Sequence, residues 1–142
     1  VLFSTLVNPQ KPIPPAASAA NGLSDADVAD APLWRDLAPH LKRILAGRFV
    51  VGHNIKFDSF FIPADWGIEW GCTKELANTI LGKADWWQIK ENPLLGGGLP
   101  ARLHQLGLEP GPEHTAAGDC LSVLRLLRHL AGQTEPIGLI YQ

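Results

Sequence analysis

The chain is 142 residues long, with 46% apolar and 18% charged residues and a formal net charge of −2. That length suits one domain and is short for two, and the apolar fraction can bury a core and argues against disorder. The near-neutral charge excludes a strongly basic, tail-driven nucleic-acid binder, though not a nuclease that holds its substrate through metal ions and a local patch. There is no methionine, and residue 1 is Val. Residues 1–7 (VLFSTLV) read at once as a strand, so the chain opens in mid-structure. Residues 9–15 hold four prolines, which suit neither helix nor central strand, and are expected to form an extended connector. Asn21-Gly22 marks a turn. Ser24 reads as the N-cap of a helical turn, with Asp25 and Asp27 in its positive first turn.

Between residues 33 and 46 the apolar positions Leu37, Leu41, Ile44 and Leu45 recur at helical spacing, and Gly47 ends the pattern. Pro39 must lie near the start of that helix or kink it. Phe49, Val50 and Val51 predict a buried strand. Asn54 then caps a short helix through Phe57, Asp58 and Phe61, which Pro63 stops. Thr73 caps a helix over residues 74–81, ended by Gly82. Residues 83–98 read as loop, and residues 99–106 as a short helix. Residues 115–131 form the longest helix, with Cys120, Leu121, Leu124, Leu127 and Ala131 along one side. Alternation of strand and helix indicates an α/β domain. Only two strands are legible, whereas a stable covered sheet normally needs three or more.

The two cysteines, Cys72 and Cys120, are no disulfide framework, and nothing resembles a C-x-x-C zinc site, so buried free thiols are expected. No run approaches the apolar length of a membrane span. Residues 1–7 lack the basic flank and cleavage site of a signal peptide. A cytoplasmic protein is the default. Charge is uneven: residues 34–57 sum to +4 and residues 58–75 to −3. The basic stretch can face a phosphate backbone or be a solvated helix face.

Two segments carry chemistry. Gly52-His53-Asn54-Ile55-Lys56-Phe57-Asp58 sets a carboxylate one turn into a helix directly after a strand, where backbone donors favour negative charge. His114-Thr115-Ala116-Ala117-Gly118-Asp119 sets a histidine at the mouth of the longest helix and a carboxylate just inside it. Five helical residues turn the chain about 140° off one face, so the two converge only if His114 lies on the preceding loop. The small residues between them let another backbone or a ligand approach. Ser59 and Ser122 sit on no nucleophile elbow, which speaks against serine catalysis.

Together these segments resemble the DEDDh 3′→5′ exonucleases, the type of ribonuclease T and the DNA polymerase III proofreading subunit. The family's G-H-N-x-x-F-D is matched in full by Gly52 to Asp58. Its H-x-A-x-x-D is matched by His114, Ala116 and Asp119. Residues 22–32 are similar to its G-I-T-D-x-x-V-x-x-A-P, and Cys72-Thr73 with Leu76-Ala77 to its D/C-T-x-x-L-A. The resemblance implies a ribonuclease H-like three-layer α/β fold with a mixed sheet, lacking the family's first two strands. Residues 1–132 would be the partial exonuclease domain and 133–142 a tail.

The resemblance further implies hydrolysis of the terminal phosphodiester at a DNA or RNA 3′ end, releasing nucleoside monophosphates. Two divalent ions, Mg²⁺ or Mn²⁺, would clamp the attacking water and the leaving oxygen. Asp58 and Asp119 would be metal ligands, as hard cations require oxygen donors. His114 would be the general base, neutral at working pH given an unperturbed pKa of about 6.5. Gly22, His53, Asn54 and Phe57 would contact substrate, with Asn54 capping its helix and so aiming Asp58. Partners would be a single-stranded or frayed 3′ end and, by the same resemblance, a polymerase.

The family's first motif, D-x-E, has no counterpart here. Asp25-Ala26-Asp27 has the spacing but belongs to the capped turn. Asn21 stands where the family has His, and residues 63–70 look shortened. The leading expectation is an exonuclease fragment, inactive as written. The alternative is a degenerate, non-catalytic module that binds nucleic acid or a protein.

Overall fold

A computed structural model of the chain describes residues 3–112 and 115–132. Residues 3–7 join no ladder, because no strand among the described residues offers them a partner. The expected strand reduces to one parallel bridge, Asn8 to Leu33, in which the Asn8 N–H donates to Pro32 O at 3.0 Å. The proline-rich segment is irregular only as far as Pro14. Helix α1 then runs Pro15–Asn21, with proline at its first position, and the turn expected at Asn21-Gly22 is its C-terminal cap, Gly22 at φ 71°.

Helix α2, Asp25–Val28, is held by its N-cap as expected. Asp27 Oδ2 accepts from both the Ser24 N–H, at 2.7 Å, and the Ser24 hydroxyl. These bonds hold the Asp27 carboxyl below its usual value. The Ile13 N–H donates to Asp25 Oδ1 at 2.7 Å and so fastens the connector to α2.

Helix α3, Trp34–Leu45, holds Pro39 as an interior residue rather than at its start. It buries Leu37, and Trp34 stacks on the buried Trp66 with centroids 6.4 Å apart.

Strand β1, Phe49–Gly52, pairs in parallel with β2, Glu69–Cys72, in the register Phe49 to Glu69. Between them lie helix α4, Lys56–Ser59, and a 3-10 turn, Ala64–Trp66. The sheet among the described residues is therefore two-stranded and wholly parallel, not mixed. β1 is half-buried rather than buried: the Phe49 side chain reaches over Gly71 and remains 65% exposed. β2 begins at the end of the stretch, residues 63–70, that looks merely shortened in the sequence.

Helix α5 spans Thr73–Leu81 with Cys72, not Thr73, at the N-cap position. Residues 83–98 hold more than loop. Helix α6, Trp86–Glu91, starts at the N-cap Asp85, whose N–H donates to Gln88 Oε1 at 2.8 Å, and a 3-10 turn, Pro93–Leu95, follows. Helices α7, Leu99–Gln105, and α8, Ala116–Leu130, are as expected.

The core sits where α8 packs on α5, α7 and β1. Ala77, Leu103 and Leu126 are essentially fully buried there, together with Thr73 and Arg102. The Arg102 guanidinium donates to Asn78 Oδ1 at 2.6 Å, Gly82 O at 2.8 Å and Gln105 Oε1 at 2.8 Å, tying α5 to α7. The buried face of α8 is not the expected leucine stripe. It is Gly118, Ser122 and Leu126, and Cys120 is exposed. Small residues take the inner face because a backbone lies against them. The Gly111 N–H donates to Ser122 Oγ at 2.8 Å, and a Cβ built at Gly111 would lie 2.8 Å from Gly118 Cα. Cys72 is half-buried.

Candidate active site

The β1–α4 turn is built by the residues of the first motif, Gly52 to Asp58. A Cβ at Gly52 would meet the Cδ1 end of the buried Ile55 side chain, which would have to swing aside for any larger residue. Asn54 takes the left-handed conformation, φ 61°, which Asn tolerates better than most residues. It is not the side-chain cap expected of it. Its main-chain carbonyl accepts the Phe57 N–H at 3.1 Å, and its side-chain Oδ1 accepts from Lys74 Nζ at 3.3 Å. Asp58, in the first turn of α4, is exposed. Phe57 beside it is 69% exposed and meets Phe61 edge-on at 5.5 Å, so core packing is not its role among the described residues.

His53 is committed to the protein. Its Nε2 lies 2.8 Å from Gly97 O and its Nδ1 3.0 Å from Thr73 Oγ1. A carbonyl only accepts, so Nε2 carries the proton. The neutral ring then needs the Thr73 hydroxyl proton at Nδ1, for which Gly52 O at 3.2 Å competes. Burial, reinforced by the Lys74 and Arg102 charges, keeps the ring pKa below its ordinary value despite the bond to Gly97. In this arrangement neither ring nitrogen is left for a ligand, and His53 pins the end of β1 to α5 and to the glycine loop before α7.

Cys72 closes the same corner. Burial alone would raise its pKa, but main-chain N–H groups of Glu75, Ile55, Asn54 and Lys74 together lower it.

The second wall is the start of α8. Thr115 is its N-cap, with Oγ1 accepting the Gly118 N–H at 3.0 Å and donating to Pro112 O at 3.1 Å. Asp119, in the first turn, is exposed and lines a cavity of about 470 Å³. Asn21 lines it from α1, with Leu99 and Pro100 from α7 and Pro110 from the loop. Gly22 follows Asn21 as the left-handed cap of α1, and the Leu23 N–H donates to Asn21 Oδ1 at 2.9 Å. The structure thus brings Asn21 and Asp119 to one cavity, while Asp58 is not part of its lining. His114 lies outside the described residues.

The donors match a hard cation in kind, since both are carboxylates at helix starts. Among the described residues no three His, Cys, Asp or Glu side chains group closely enough to hold a metal ion. Sequence reading overlooked Thr115 and the apolar cavity wall. A threonine immediately before a helical run is a legible cap signal, but the wall comes from three distant segments and has no local signal.

A family model described as exonuclease, RNase_T, matches residues 1–127. The chain is 33% identical over 132 residues to a DNA polymerase III subunit epsilon-like protein of Rhodobacter capsulatus, covering 89% of this chain and 18% of that protein. It is 39% identical over 78 residues to exodeoxyribonuclease 10 of Escherichia coli K12, covering 55% of this chain and 34% of that protein. The solved structure of exonuclease X in complex with 5′ overhanging duplex DNA superposes with a TM-score of 0.70 at 27% identity, over 93% of this chain and 74% of that one. The chain therefore spans a fifth to a third of the length of these two relatives.

Proposed function

Because the chain belongs to the RNase_T exonuclease family and has its ribonuclease H-like fold, we propose that it is the exonuclease domain of a metal-dependent enzyme. That enzyme removes nucleoside monophosphates from DNA or RNA in the 3′→5′ direction. The observation that carries this reading is the pairing of two complete motifs, Gly52 to Asp58 and His114 to Asp119, in one such fold. Asp58 and Asp119 would hold divalent ions, Mg²⁺ or Mn²⁺, with further carboxylates from outside these motifs. When bound, the ions supply an activated water and a clamp on the leaving oxygen.

The protein's own contribution is positional and protolytic. His114 takes the proton of the attacking water as a neutral imidazole. Thr115 and Gly118 fix the first turn of α8 and hence the Asp119 carboxylate. The cavity bounded by Asn21, Leu99, Pro100 and Asp119 receives the terminal nucleotide. His53 supports the site indirectly by anchoring the end of β1. A DNA 3′ end, presented by itself or by a polymerase, is the partner that the exonuclease and epsilon-like relatives favour.

Incubating the full-length protein with a 5′-labelled single strand and Mn²⁺ or Mg²⁺ tests the proposal. The expected result is a ladder shortening from the 3′ end, mononucleotide products, and none of this in EDTA. Cleavage that persists in EDTA, or a strand left whole with either metal, overturns it. The 142 residues alone hold two carboxylates in these motifs and are expected to release little or nothing.

A further inference from the structure

We infer that Lys74 is a contact for a backbone phosphate of the bound strand, an inference that rests on the nuclease reading above. Lys74 lies outside both motifs. It is the second residue of α5, where a positive charge opposes the helix dipole and normally costs stability. It is also half-buried, with its stem against the glycine loop: a Cβ built at Gly97 would lie 3.6 Å from Lys74 Cε.

No carboxylate among the described residues comes within 4.0 Å of its ammonium group. Its hydrogen bond is a long one, 3.3 Å, to the neutral amide oxygen of Asn54. The His53 ring and the main chain at Gly97, which lie beside it, carry no negative charge.

An ammonium group carries three donors. Here it meets one weak neutral acceptor, in a place where its charge is unfavourable. The adverse field and the missing counter-ion are both relieved by an anion arriving at the Asn54–Asp58 turn. A nucleic-acid strand supplies such anions at every phosphate, and lysine binds them as a compact point charge. The other cations near the turn fit this role less well. Arg102 is 3% exposed, and its Nη atoms are bonded to Asn78, Gly82 and Gln105. Lys56 is exposed rather than half-buried against the glycine loop.

A phosphate contact positions the strand and is blind to sequence. The predicted phenotype is therefore weaker binding of every sequence with unaltered chemistry. The test compares the full-length protein with Lys74→Gln, Lys74→Arg and, as a control for loss of any one charge, Lys83→Gln. Exonuclease KM and kcat, and binding of a single-stranded oligodeoxynucleotide across a salt series, are measured on each. Urea unfolding confirms that each variant is folded.

Lys74→Gln is expected to raise KM, leave kcat unchanged, and reduce the slope of log K against log salt by about 0.7, one phosphate's worth on a single strand. Lys74→Arg restores most of the affinity, and Lys83→Gln keeps the wild-type slope. An unchanged slope in Lys74→Gln overturns the inference while the nuclease reading stands. So does a fall in kcat at constant KM, which would mark a structural role at the turn. If the wild-type protein neither binds the oligonucleotide nor shortens it, the nuclease reading itself has failed and the inference falls with it.

Discussion

An alanine at Gly118 opposes two effects whose signs differ. Gly118 is the third residue of α8, in its first turn, where alanine gains less than the roughly 1 kcal/mol it gains over glycine in a helix interior. Here the added methyl enters the space of the Pro112 main chain, at 2.8 Å from its carbonyl carbon and closer still to its oxygen. That obstacle cannot swing aside like a flexible side chain, and the same segment is fastened by the Gly111 to Ser122 and Thr115 to Pro112 hydrogen bonds. Overpacking of this kind costs about 1–3 kcal/mol. The steric cost should exceed the helix gain, leaving Gly118→Ala destabilised.

A net loss of up to about 2 kcal/mol lowers the urea midpoint by up to roughly 1 M at a slope of about 2 kcal/mol per M. Equilibrium urea unfolding of wild type and variant, with unchanged slope, reads this directly. A midpoint that rises would show that helix propensity dominates, and would refute the claim that the 110–112 loop is pressed onto the first turn of α8.

Three further outcomes follow from the same geometry. Ser122→Ala removes the acceptor of the buried Gly111 N–H and should cost about 1–3 kcal/mol in urea, whereas an unchanged midpoint would place water or another acceptor there. Arg102→Met removes three charge-assisted hydrogen bonds, to Asn78 Oδ1, Gly82 O and Gln105 Oε1, from a buried side chain and should destabilise by a similar amount, about 1–3 kcal/mol. Lysine should not rescue it, because a point charge cannot make the forked set of bonds; full stability in Arg102→Lys would contradict this. The folded protein keeps His53 neutral to lower pH than the unfolded chain does. Its contribution to stability is therefore complete above an unfolded pKa of about 6.5 and is lost as pH falls through the lowered folded value. Urea midpoints measured down this range should fall in wild type and flatten in His53→Gln; parallel curves would refute the assignment.

What the sequence conceals differs from element to element. The short apolar run from Phe49, set between Gly47 and Gly52, is legible as β1 because it is local. β2 is not, because Glu69-Trp70-Gly71-Cys72 has no strand pattern of its own. It becomes a strand by pairing with β1, with Gly71 making room for the Phe49 ring. The α6 signal, Asp85 followed three residues later by Gln88, is a cap pattern outweighed in reading by Trp86-Trp87 and the glycine run that follows. On α8, hydrophobicity points to the leucines, yet burial falls on Gly118 and Ser122 because close backbone approach selects small residues.

The site divides the same way. The motif spacing around Asp58 and Asp119 is visible in the sequence, and the small residues before Asp119 correctly announce a close-packed backbone. The commitment of His53 is invisible, since its partners Thr73 and Gly97 lie 20 and 44 residues further along. The left-handed backbone of Asn54 is likewise a property of the turn rather than of the residue list.

The central claim is that Asp58 and Asp119 act together as the metal-holding carboxylates of a 3′→5′ exonuclease. The most direct measurement is the rate of mononucleotide release by the full-length protein with Mn²⁺ or Mg²⁺, compared with Asp58→Asn and Asp119→Asn variants of unchanged urea midpoint. The account predicts metal-dependent release in wild type and a loss of orders of magnitude in each variant. Wild-type rates in either folded variant would contradict it.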